Sequence, residues 1–138
     1  MPFDQGMMLL CHGIGGSDLE RITTLDTEYS IARHPALTRV RAARRYPLIV
    51  YGHTHERLVM HLDDIVLVNA GAVCHPDDSG FLILDFGSNH VEWHSMSAEG
   101  SRADRPVSLA SRRRVACQKR TPQIVRALVR RRQETLKA

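Results

Sequence analysis

Leu48-Ile49-Val50-Tyr51 constrains the fold more than any other stretch of this chain. Four successive apolar side chains in extended backbone point alternately to opposite sides, so such a strand needs cover on both faces. A strand with two covers belongs at the centre of a layered α/β sheet, not on a hairpin with one face in water. Pro47 just before it closes a predicted helix over Pro35–Arg45, whose Leu37, Val40 and Ala43 are expected to face inward. Gly52 just after it marks where the strand stops.

Other short apolar runs surround this centre. Met7-Met8-Leu9-Leu10-Cys11 stops at His12-Gly13, too short for a helix and ended by glycine. Ser17 with Glu20 three residues on has the capping-box spacing, which predicts a short helix starting there. Leu58–Leu62 and Ile65–Asn69 form a predicted hairpin across Asp63-Asp64. Phe81–Phe86 and His90–Met96 form another across Gly87-Ser88-Asn89, with Val91 and Trp93 on its apolar face and His90, Glu92 and His94 on its polar one. Residues 97–106 are small and polar, as in a linker, and Pro122–Leu136 carries Val125, Leu128, Val129 and Leu136 at the spacing of a basic amphipathic helix.

At 138 residues and 15.6 kDa the chain suits one domain, 1–96, followed by a basic linker and helical tail, 97–138. With 43% hydrophobic and 25% charged residues it is neither disordered nor collagenous. No stretch approaches the ~18 consecutive apolar residues of a membrane span. Three cysteines without a C-x-x-C spacing point to a reducing, cytoplasmic setting. The overall charge of +4 conceals a split. Residues 1–96 hold seven arginines, no lysine and twelve acids, net −5, whereas residues 97–138 hold twelve basic residues and three acids, net +9. Any anionic partner is therefore met by the tail.

Gly52-His53-Thr54-His55 is the strongest chemical signal. It follows a buried strand, where a rigid support holds loop residues in place. In extended backbone, side chains two apart share a side, so His53 and His55 are expected to aim at one site roughly 6–7 Å apart. Gly52 is expected to permit a close backbone turn. His12 likewise sits between a strand and Gly13, and neighbouring strand ends in an α/β sheet converge on one site.

His12-Gly13, Gly52-His53-Thr54-His55 and Asn69-Ala70-Gly71-Ala72 together resemble the C-terminal half of the calcineurin-like metallophosphoesterases. The likeness is nearest the small bacterial phosphodiesterase branch, in which the last element usually reads Asn-Pro-Gly-Ser. It covers about residues 7–96 and implies part of a layered α/β sandwich with a mixed sheet and β-hairpins. It further implies hydrolysis of a phosphomonoester or phosphodiester by a metal-bound hydroxide at a two-metal site. His12 and His53 would bind one metal and His55 the other, with Gly13, Gly52, Asn69 and Gly71 shaping the supporting loops. The resemblance implies two divalent cations, Mn first with Fe or Zn as alternatives, and mixed nitrogen and oxygen ligands fit all three. The family's Asp-x-His, Gly-Asp and Gly-Asn-His elements do not occur in this chain, which predicts a truncated chain completed by a missing N-terminal half or a homo-oligomer.

Two other classes compete. One is a non-catalytic scaffold or binding module of the same fold. The other is nucleic-acid binding through Arg112–Arg114 and Arg130–Arg132, against which stand the absence of aromatics in residues 97–138 and the frequency of solvated basic helices. Weaker metal candidates are His90/Glu92/His94 and the Cys11-His12 plus Cys74-His75 pairs, more simply a solvent-facing strand and free thiols. Asp63, Asp64, Asp77 and Asp78 fit turn chemistry, and His34, His61 and His75 show no partner pattern.

Overall fold

The computed structural model describes residues 2–3, 6–14, 20–75, 78–110 and 115–117. Strands β1 (Pro2–Phe3), β2 (Gly6–Leu10), β3 (Leu48–Tyr51), β4 (Arg57–His61), β5 (Val66–Ala70) and β10 (Val115–Cys117) form a six-stranded mixed sheet in the order β1-β2-β3-β5-β4-β10. Its centre is parallel, with Leu10 beside Val50 and Tyr51 beside Asn69. The β4–β5 hairpin closes on a Leu62 N–H to Ile65 carbonyl bond of 2.9 Å. A second, antiparallel sheet holds β6 (Gly80–Asp85), β7 (His90–Ser97), β8 (Gly100–Ala103) and β9 (Val107–Ser108) around β7.

The four apolar residues of β3 are all buried, because each face has its own cover. Ile49 and Tyr51 join Leu58, Met60 and Leu67 against Ile22 and the helices α1 (Glu28–Ala32) and α2 (Pro35–Ala42), through Ile31, Ala36 and Leu37. Leu48 and Val50 join Met8, Val59 and Val68 against Val91 and Trp93 of the second sheet and Leu109 just after β9. The order of layers is helices, mixed sheet, antiparallel sheet. Alternation along each strand divides the apolar residues between the two cores.

Local chemistry departs from sequence expectation in three places. Ser17, where a helix is predicted to start, lies outside the described residues, and Glu20–Thr27 is non-helical. Helix α1 begins instead after Thr27, whose side chain accepts from Ser30 N–H at 3.1 Å. Helix α2 starts after His34, whose Nδ1 accepts from Leu37 N–H at 3.3 Å; it ends at Ala42, so Ala43 is a C-cap in solvent and Ala36 takes the inward place. Residues 97–106, expected as a linker, include β8, paired with β7 from His94↔Ala103 to Ser97↔Gly100. That strand is exposed throughout, so its small polar residues carry no hydrophobic signal. The predicted helix Pro122–Leu136 and Asp77 lie outside the described residues.

Arg57 and His61 join the layers through polar contacts. Arg57, 5% exposed, reaches from β4 into the second sheet. Its Nη1 donates to Asp104 at 2.6 Å and to Ser95 Oγ at 3.1 Å, and its Nη2 sits 2.8 Å from Asp78 without hydrogen-bond alignment. His61 Nε2 donates to the Ser108 carbonyl at 3.2 Å, and burial pushes its imidazole below the ordinary value against that bond. The unfolded chain takes up this proton at about pH 6.5, so the neutral ring's contribution is full above that pH and is lost as pH falls toward the folded value. His61→Gln should flatten the decline in urea midpoint between pH 7 and 5. An unchanged pH slope would exclude His61 as its source.

Candidate metal centre

The parallel strands β2 and β3 end side by side. Their ladder continues past the last paired residues, with Cys11 N–H to Val50 carbonyl at 3.0 Å and Gly52 N–H to His12 carbonyl at 3.0 Å. This brings the two post-strand histidines together: His12 Nε2 and His53 Nδ1 lie 3.2 Å apart, with ring centroids at 5.1 Å and planes at 81°. In the chain by itself, one imidazole donates to the other. Two nitrogens at 2.0–2.1 Å from one cation lie roughly 3–3.4 Å apart for octahedral to tetrahedral angles, so the pair also has the span of two ligands on one ion. Imidazole suits Zn, Fe and related transition metals. His12 and His53 therefore fit as part of a metal site. Among the described residues no group of three or more His, Cys, Asp or Glu side chains is placed to hold a cation.

The loop after β3 reaches this geometry by a different route from the extended backbone that the sequence suggests. His53 and His55 take φ of 69° and 59°, left-handed values uncommon for residues with a Cβ, while a Cβ on Gly52 would meet only the His12 carbonyl at 4.0 Å. The strain sits on the histidines and not on the glycine before them. Such strain costs of order 1–3 kcal/mol per residue and persists only where surrounding contacts over-determine it. His53 is half-buried and His55, on the same loop, is exposed.

Those contacts come from Asn69, which is fully buried at the end of β5. Its Nδ2 donates to the Gly52 carbonyl at 3.0 Å and to Thr54 Oγ1 at 2.7 Å, and its Oδ1 accepts from Gly71 N–H at 3.0 Å. Thr54 N–H closes back on the Gly52 carbonyl at 2.8 Å. Gly71 needs to be glycine: its φ is 81° and a Cβ there would lie 3.0 Å from Arg57 Cγ. Gly13 is buried behind His12.

Two further residues brace the site and carry no signal in a sequence scan for metal ligands. Glu56, directly after His55, accepts from Thr24 N–H at 2.7 Å and ties the loop to the segment before α1. Tyr51 donates its hydroxyl to the Ile22 carbonyl at 2.9 Å, and burial pushes its phenol far above the ordinary value, which keeps it a neutral donor. The weaker candidates are engaged elsewhere. His94 Nε2 contacts Glu92 at 2.9 Å and its ring stacks on Phe81 at 4.9 Å, while Cys11 Sγ faces the Val50 carbonyl at 3.9 Å and Cys74 is exposed. Asp64 pairs with Arg41 at 2.6 Å.

Residues 3–89 match the family model of the calcineurin-like phosphoesterase superfamily domain, a span that holds His12, His53, His55 and Asn69. The protein "Phosphodiesterase MJ0936" of Methanocaldococcus jannaschii is 45% identical over 29 residues, which are 21% of this chain and 18% of that protein. The crystal structure of wild-type Vps29 from Entamoeba histolytica complexed with zinc aligns at a TM-score of 0.44 and 14% identity, over 70% of this chain and 58% of that one. The chain thus spans less than two thirds of either relative.

Asn69→Ala leaves the Gly71 N–H without its partner and takes one of two donors from the Gly52 carbonyl, which keeps Thr54 N–H. It should cost about 1–3 kcal/mol, the scale for one group left unsatisfied, read as a lowered urea midpoint with an unchanged m value. A loss below about 0.5 kcal/mol, the scale of surface substitutions away from such features, would contradict the clamp. Because His55 is left-handed, His55→Gly should be more stable than His55→Ala by about 1 kcal/mol. Equal stabilities would contradict the loop geometry.

Proposed function

Because the chain belongs to the calcineurin-like phosphoesterase superfamily, we propose that it acts as a metal-dependent phosphoesterase, a hydrolase of phosphomonoesters or phosphodiesters. One observation carries this reading: His12 Nε2 and His53 Nδ1 converge at 3.2 Å from two adjacent parallel strand ends. A divalent cation, when bound, supplies an acidified water and a positive field for the phosphoryl oxygens. The chain's own part is to hold and orient. His12 and His53 bind one cation, with Mn the first choice and Fe or Zn also suited to imidazole, and His55 serves a second cation. Asn69 fixes the loop through the Gly52 carbonyl and Thr54, so the ligands stay in place while charge develops at phosphorus. The carboxylate ligands of a two-cation site come, in this reading, from outside the described residues, on a further segment or a second copy.

The test uses the full chain with bis(p-nitrophenyl) phosphate, with and without Mn²⁺, alongside calorimetric titration of Mn²⁺. Losing even an outer partner of a ligand typically costs 10–100-fold, so His53→Ala should lower Mn²⁺-dependent turnover by at least about 100-fold and weaken Mn²⁺ binding. Mn²⁺ uptake without turnover would favour the non-catalytic binding module instead. Mn²⁺ uptake unchanged in a His12→Ala, His53→Ala double variant would overturn the site itself.

A further inference from the structure

A cavity of about 400 Å³ opens between the end of α2 and the residues that lead into β3 and β5. The histidine pair and Asn69 lie toward the far ends of those strands, so the cavity is separate from the candidate metal centre. Val40, Tyr46, Pro47 and Ile65 form its apolar walls, and Arg41, Arg44 and Asp64 its polar rim. The walls are tied down: Val66 N–H donates to the Pro47 carbonyl at 2.8 Å, and Val40 and Tyr46 pack against the helix-side core. Arg41 grips Asp64 by two contacts, Nε to Oδ2 at 3.1 Å and Nη2 to Oδ1 at 2.6 Å, so those two charges answer each other.

Arg44 is left over. Its neighbouring arginines are engaged, Arg39 near Glu20 at 4.0 Å and Arg45 over the Tyr46 ring at 5.8 Å. The Arg44 guanidinium meets no carboxylate among the described residues. Its backbone is left-handed, with φ of 46°, just after the C-cap Ala43, where helices favour glycine. Strain of this kind clusters at ligand clamps and active sites. Here it sets one unanswered cation on the rim of an apolar cavity.

We propose that this cavity binds a small organic carboxylate with an apolar or aromatic body. The planar guanidinium of Arg44 presents paired N–H donors that match a carboxylate. With two arginines and one aspartate, the rim balances a single negative charge, which favours a monocarboxylate over a phosphate dianion. The volume falls in the range of small-molecule sites, and the apolar walls cover the body of the ligand. This site stands independently of the phosphoesterase reading.

The experiment is ¹⁹F NMR titration of 4-(trifluoromethyl)benzoate against the full chain in EDTA, with the uncharged 4-(trifluoromethyl)benzamide as control. The acid should bind more tightly than the amide. Arg44→Gly should weaken binding of the acid by at least about 10-fold, the weight of one hydrogen bond to a charged group. Its urea midpoint should not fall, because glycine suits left-handed backbone, so lost binding is not lost folding. Val40→Phe fills the cavity from its wall, leaves every cation in place, and should weaken binding too. Arg45→Gln, off the rim, should bind as the unsubstituted chain does. Equal binding of acid and amide would overturn the proposal, as would full affinity in Arg44→Gly or no binding by the unsubstituted chain. Equal losses in Arg45→Gln and Arg44→Gly would put a diffuse positive surface in its place.

Discussion

The side-chain amide of Asn69 is the contact on which the site depends. Fully buried at the end of β5, it satisfies the Gly52 carbonyl, the Thr54 hydroxyl and the Gly71 N–H. A loop with two histidines in left-handed backbone would relax to other conformations if left to solvent. Holding it from below with a neutral amide leaves the imidazoles free for other work, and burial of the amide makes each bond costly to lose. Arg57 supports the same corner from the other side. Its stem packs against Gly71, and its guanidinium reaches Asp104, Ser95 and Asp78, binding the site end of the mixed sheet to the second sheet.

The rest of the fold follows from β3. A strand apolar on both faces forces two covers, and the chain supplies helices α1 and α2 for one and the hairpin-built second sheet for the other. Parallel pairing of β2, β3 and β5 then aligns their ends. The histidine pair, Asn69 and the Gly71 turn lie at one end of the sheet because parallel strands finish there together.

What could be read in the sequence was what alternation and punctuation determine. The double-sided burial of Leu48–Tyr51, the hairpins at Asp63-Asp64 and Gly87–Asn89, and the approach of His12 to His53 all follow from short apolar runs and the residues that stop them. What could not be read depends on partners distant in sequence. His34 looks featureless until its ring caps α2 and its Nε2 meets Glu20 at 3.3 Å. Arg57 looks like a surface residue until β6–β8 fold over it, and β8 is exposed on all four residues. The left-handed φ of His53 and His55 gave no signal, because the usual marker is a glycine at the strained position, and here the glycine precedes it.

The proposed function rests on His12 and His53 as two ligands of one cation. The most direct measurement is electron spin-echo envelope modulation of Mn²⁺ added to the full chain. Nitrogen modulation from two coordinated imidazoles is expected, reduced to one in His53→Ala and absent when His12 is replaced as well. Bound Mn²⁺ with no nitrogen modulation, or modulation that survives both substitutions, would contradict it.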